Sequence, residues 1–150
     1  MANSETLRDL IRINNDRVTG YSKAATQTDE QQLQSLFSQL AQQSRQFASE
    51  LRSLVSDNDK NVTDETTTAG KIYRTWMDVK NIFTGNDRQS VLESCEGGED
   101  AAIKAYKEAL DSDAVIDEDT RDLINAQLAE IRISHDTIKQ FRDQHSSVHS

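Results

Sequence analysis

Proline is absent from this chain, and only five of its 150 residues are glycine. With so few obligatory breaks, long uninterrupted helices are permitted almost everywhere. Cysteine occurs once, at Cys95, which excludes an internal disulfide and fits a reducing compartment. Long apolar runs are missing as well. Nothing approaches the roughly 18 consecutive apolar residues of a membrane span, and the opening Met-Ala-Asn-Ser-Glu-Thr-Leu has neither the basic nor the apolar segment of an export signal. Positive charge is in deficit: 17 Lys and Arg stand against 26 Asp and Glu, a net of −9. Nucleic acids and anionic membranes call for a cationic surface, so neither is expected as a partner. The expectation is a cytoplasmic protein forming a single domain over residues 1–150.

Leu, Ile, Val and Phe together number only 32, close to the level at which a chain fails to fold. Their arrangement compensates, because a narrow apolar stripe on a long helix needs few apolar residues. Leu7, Ile11, Asn14, Val18, Tyr21 and Ala25 recur at steps of four and three and predict a helix from Ser4 to about Thr28. Thr28 or Asp29 is placed to cap a second helix, with Gln31 or Gln32 returning the bond. Its stripe is Leu33, Phe37, Leu40, Ser44, Phe47, Leu51 and Leu54. A polar stretch from Ser56 follows. The pattern Ile72, Trp76, Val79 and Phe83 then predicts a short helix that ends at Thr84-Gly85-Asn86-Asp87, with Trp76 and Met77 closing one end of the core.

A third long helix is expected from Arg88 to Leu110 on Leu92, Cys95, Glu99, Ala102, Tyr106 and Ala109. Gly97-Gly98 in its middle predicts a bend or a π-bulge, or a close approach by another helix. A fourth starts at Asp117 to Thr120 and carries Ile124, Leu128, Ile131, His135, Ile138 and Phe141 or Arg142, with a frayed polar tail from Gln144. Two tight helical hairpins joined by one long crossover predict an all-α, ferritin-like four-helix bundle.

Asn14, Ser44, Glu99 and His135 interrupt the stripes with polar groups, which need partners when buried. Counting outward from the hairpin loops puts Asn14 level with Gln43 and Ser44, Glu99 with Ala129 and Glu130, and His135 with Cys95. A polar layer midway along four helices is where bundles of this kind hold two metal ions, through carboxylates and Glu-x-x-His pairs. This chain contains no Glu-x-x-His. A reduced, single-ion site would draw on Glu99 and His135, with Glu96, Cys95 and Glu50 as further ligands, and would suit zinc, iron or manganese equally. Against it, the count separates His135 from the layer of Glu99 by six residues, about 9 Å of helix. The competing and stronger expectation is structural: Glu99 pairs with Arg, Lys, His or a tyrosine, and His135 donates to a carboxylate or a carbonyl. Among acids, Cys95 reads as a buried, inert thiol. No phosphate loop, nucleophilic triad or zinc-finger spacing occurs.

Several segments resemble a bacterial, ferritin-like four-helix-bundle family catalogued as a domain of unknown function. They are Gly20-Tyr21-x-x-Ala24-Ala25, then Phe37-x-x-Leu40-Ala41-Gln42 with Phe47-Ala48-x-Glu50-Leu51, then Ala69-Gly70 with Trp76-Met77-x-x-Lys80 and Thr84-Gly85-x-Asp87. The clearest is Cys95-Glu96-x-Gly98-Glu99-Asp100-x-Ala102-x-x-x-Tyr106, followed by His135-Asp136-x-Ile138. The resemblance implies the bundle topology and, by analogy with related ferritin-like proteins, a link to stress responses; it implies no activity. The expected function is therefore non-enzymatic, without a cofactor, and exerted through an unidentified protein partner or a homodimer. The alternative is a divalent-metal protein using the carboxylate and histidine set above.

Overall fold

The computed structural model describes residues 4–54, 88–111 and 117–148. Among them are four helices and no strand: α1 (Ser4–Thr26), α2 (Gln31–Arg52), α3 (Arg88–Asp111) and α4 (Glu118–Val148). The expected short helix around Trp76, its cap at Asn86 or Asp87, and the polar stretch before it lie outside the described residues.

Each helix buries residues at a recurrence of seven. On α1 these are Leu7, Asn14 and Tyr21, interleaved with Leu10, Arg17 and Ala24. On α2 they are Leu33, Leu40 and Phe47, with Phe37, Ser44 and Leu51. On α3 they are Leu92, Glu99 and Tyr106, with Cys95, Ala102 and Ala109; on α4, Ile124, Ile131 and Ile138, with Thr120, Gln127 and Ser134. A seven-residue repeat keeps one seam of a helix facing its neighbours over many turns, as helices packed side by side require.

Side-chain bonds between helices fix their directions. Only four residues separate α1 from α2, and Arg17 meets Ser44 and Gln43, so the two helices are antiparallel. Arg142 meets Glu96, and Tyr106 meets Gln127, so α3 and α4 are antiparallel. Asn14 with Tyr106 and Arg17 with Glu99 set α1 antiparallel to α3. Gln127 with the Phe47 carbonyl and Ser134 with Gln43 set α2 antiparallel to α4. The order is therefore up, down, down, up. Arg88 at the start of α3 lies beside Glu30 at the start of α2, 2.6 Å apart. The link between α2 and α3 thus joins opposite ends of the bundle.

Local details depart from the expected caps. Helix α1 ends at Thr26, and α2 is preceded by Glu30, which makes no side-chain capping bond. Thr28 acts in the turn instead: its Oγ1 accepts from the Glu30 amide, and its carbonyl accepts from Gln34 Nε2. Gln31 and Gln32 are exposed. Helix α4 starts where expected, and Asp117 Oδ1 caps it by accepting from the Thr120 amide at 2.8 Å. Thr120, through its side chain first and its amide second, holds the Asp117 carboxyl below its ordinary value. Helix α3 passes through Gly97-Gly98 as continuous α-helix, without a π-turn. Gly98 is buried, and the backbones of α1 and α3 approach within 8 Å. The surrounding helix supplies the order that two glycines lack. Helix α4 continues to Val148, past the expected fraying point at Gln144.

Candidate functional site

The centre of the bundle is polar. Arg17 and Glu99 are both fully buried and form a two-pronged pair: Nε to Oε1 at 2.7 Å and Nη2 to Oε2 at 2.9 Å. The planar guanidinium matches the carboxylate edge, so two parallel bonds form at once. Arg17 also donates to Ser44 Oγ at 2.6 Å and to Gln43 Oε1 at 3.2 Å. Gln43 Oε1 accepts a further bond from Ser134 at 3.3 Å. All four helices therefore converge on one charged layer. The guanidinium carbon also stands 5.5 Å from the Tyr21 ring centre, over a ring that packs against Phe37 at 5.9 Å. Burial alone would favour a neutral Arg17, but Glu99 and then Tyr21 more than reverse this, and its net shift is upward. Tyr21 is pushed far above its ordinary value by burial first and by Glu99 second.

One turn away a second network runs across the bundle. Asn14 Nδ2 donates to the Leu10 carbonyl at 2.9 Å and to the Tyr106 hydroxyl at 2.8 Å. Tyr106 donates to Gln127 Oε1 at 2.6 Å. Gln127 Nε2 donates to Glu50 Oε1 at 3.0 Å and to the Phe47 carbonyl at 3.3 Å. Burial raises the Tyr106 phenol, so it remains a donor at neutral pH. Tyr106→Phe would leave the Gln127 oxygen without its donor and the Asn14 amide without one acceptor. It is expected to cost about 1–3 kcal/mol, read as a lower urea midpoint with an unchanged slope.

The residues singled out in the sequence separate into four places. Glu99 is the central partner of Arg17. Glu50 ends the second network, where Gln127 and Gln46 donate to it. Cys95 is buried in the core, its thiol pushed up by burial and then by Glu99. His135 and Glu96 come together, but at the outer seam of α3 and α4, with the His135 side chain 19% exposed. There His135 Nε2 lies 2.8 Å from Asp100 and 3.5 Å from Glu96, while Nδ1 lies 3.2 Å from Asp136. Arg142 pairs with Glu96 beside it.

Two expectations about His135 are thereby corrected. It is not on the inward seam, where Ser134 stands instead. It is not a layer removed from Glu99 either, since it meets Asp100, the next residue along. The register differs from simple counting: Asp100 is level with His135, and Tyr106 with Gln127. Helical geometry does the rest: Asp100 and Glu99 are adjacent in sequence but about 100° apart around α3, so His135 and Arg17 are reached from different sides. The count from Thr28 also shifts, so that Arg17, not Asn14, is level with Ser44. Among the described residues, no group of three His, Cys, Asp or Glu is arranged to hold a metal ion.

Arg17, Gln43, Gln127 and Ser134 do not stand out by type alone. Their signal is spacing: Arg17 is seven residues from both Leu10 and Ala24, and Ser134 is seven from Gln127. Val18 and Ala25, expected on the seam, are only half-buried. The described helices include none long and apolar enough to cross a membrane.

Comparisons with curated proteins and with solved structures returned no match. A family model does match, over residues 2–112, which takes in α1, α2 and α3 and leaves α4 beyond it. That stretch carries Arg17, Ser44, Glu99 and Tyr106, the centre of both polar networks. By this match over most of its length, the chain belongs to the family described as Domain of unknown function (DUF2383).

Proposed function

We propose that this protein is a ferritin-like helical bundle that acts through protein contacts, including contacts with its own copies, and not as an enzyme. The up-down-down-up order and the end-to-end link between α2 and α3 support the ferritin-like part. One observation carries the functional part: the polar groups of the centre are committed to each other. Both Glu99 oxygens are held by Arg17, and Tyr106, Gln127 and Glu50 are bonded in series. A general acid or base must be able to reach a substrate, and Arg17, Glu99, Tyr106 and Gln127 are buried against one another, with Glu50 half-buried at the end of the series.

The alternative is a carboxylate–imidazole metal protein. It draws on His135 beside Glu96 and Asp100 of α3, where Glu96 would have to part from Arg142 to admit an ion. Light scattering from micromolar to millimolar protein, with elemental analysis of the same tag-free sample, separates the readings. Concentration-dependent association with less than about a tenth of an ion per chain is the expected result. Stoichiometric metal lost in His135→Ala would turn the conclusion to the alternative.

A further inference from the structure

The groove between the end of α3 and the first half of α4 differs from the rest of the surface. It is shallow, about 630 Å³, and floored by Leu110 and Leu128. Lys107 and Arg132 border it, with Asp111 the only acid in its lining. Ile133 stands on its rim and is 60% exposed; among the described residues it is the only exposed large apolar side chain. We infer that this face is the contact between two copies of the chain, with Ile133 of each copy seated in the groove of the other. The inference rests on the reading that the protein self-associates, and names the surface.

Two observations favour a second copy as the occupant. A two-fold contact uses one patch twice, so it needs a projection and a recess within that patch. Ile133 and the groove beside it supply both. The second is charge. The chain carries −9, so two copies repel at most orientations. Here the lining holds two cations and one acid, so acid is not set against acid, and Asp111 gives the partner's cations a counter-charge. The groove runs from Lys107 to Asp111 on α3 and from Asn125 to Ile133 on α4, so the contact is compact and adjoins Ile133. Burying an exposed isoleucine supplies a central apolar anchor, and the basic side chains at the rim contribute mainly to register.

The experiment is sedimentation or light scattering of the full chain across a concentration series, for wild type, Ile133→Asp and Ile133→Leu. Because Ile133 is exposed, neither change disturbs the core, and unchanged helicity checks this. Wild type and Ile133→Leu are expected to dimerise, and Ile133→Asp to weaken the dimer by at least about tenfold. Added salt should tighten the wild-type dimer, since it screens the mutual repulsion of two acidic chains. A dimer that Ile133→Asp leaves unchanged would overturn this surface while self-association stands. A monomer at every concentration would overturn both.

Discussion

Arg17→Met and Glu99→Leu, each made alone, are expected to lower stability by about 3–5 kcal/mol, because each leaves its partner charged and buried without a counter-ion. The double variant Arg17→Met/Glu99→Leu should recover most of that loss and fall within roughly 1 kcal/mol of wild type, since apolar side chains of similar volume avoid desolvating two ions. For a chain of this length each single change corresponds to a drop in Tm of about 10 °C. The double-mutant cycle is the measurement, and its coupling should be at least about 3 kcal/mol. The size follows from geometry: both side chains have zero exposure, and their two bonds measure 2.7 and 2.9 Å. Ser44 and Gln43 moderate the recovery, because each loses a bond from Arg17. Single variants costing less than about 1 kcal/mol, or a double variant as unstable as the sum of both, would show that the pair is not sealed as the structure has it.

The second large effect is expected on the alkaline side. Burial holds the Cys95 thiol and the Tyr21 and Tyr106 phenols above their ordinary values. Each therefore keeps its proton in the folded chain at a pH where the unfolded chain has released it. The stabilising contribution is complete below the unfolded values, about 8.5 for Cys and 10 for Tyr. Above them it falls as pH rises toward the folded values, at about 1.4 kcal/mol per pH unit for each group. Cys95 acts first and the tyrosines follow, so the combined loss between pH 8 and 11 is about 6 kcal/mol. Urea midpoints measured at intervals over this range test the claim. Cys95→Ala should flatten the curve between pH 8.5 and 10 and leave the steeper fall above about pH 10. If wild type and Cys95→Ala show the same slope there, the thiol is not sealed. The reactivity of Cys95 toward an alkylating reagent provides an independent reading. Native protein should react about a thousandfold more slowly than unfolded, because reaction must wait for opening of the core.

Both predictions concern groups placed deep in the bundle by their neighbours, and these are the features that the sequence showed least completely. Seam positions on α3 were legible. Leu92, Cys95, Glu99, Ala102, Tyr106 and Ala109 recur at helical spacing and are all buried. An apolar stripe is a property of one helix, and the hydrophobic effect needs no particular partner to bury it. The expectation that Glu99 pairs with a base, and that Cys95 is buried, needed only the cost of burying a charge and the acids nearby. The base itself was hidden. Arg17 resembles any surface arginine by type, and only its seven-residue spacing from Leu10 and Ala24 places it inward. The amides and hydroxyls of Gln43, Gln127 and Ser134 are equally at home in water, so their burial depends on which polar atoms face them from other helices.

What the sequence by itself determined is the helical, strand-free character of the described chain, the inward position of most apolar residues, and the start of α4 near Asp117. Each depends on residues a few positions apart: apolar spacing along one helix, scarce breakers, and a side chain that reaches an amide three residues on. Tertiary structure alone decided the register between helices, and with it the chemistry of every polar group. It set Arg17 opposite Glu99, linked Asn14 to Glu50 through Tyr106 and Gln127, and carried His135 out to Glu96 and Asp100. The physical reason is that one residue of shift turns a side chain by about 100° and moves it 1.5 Å. Loop lengths cannot fix register to that tolerance, whereas simultaneous packing of four helices does.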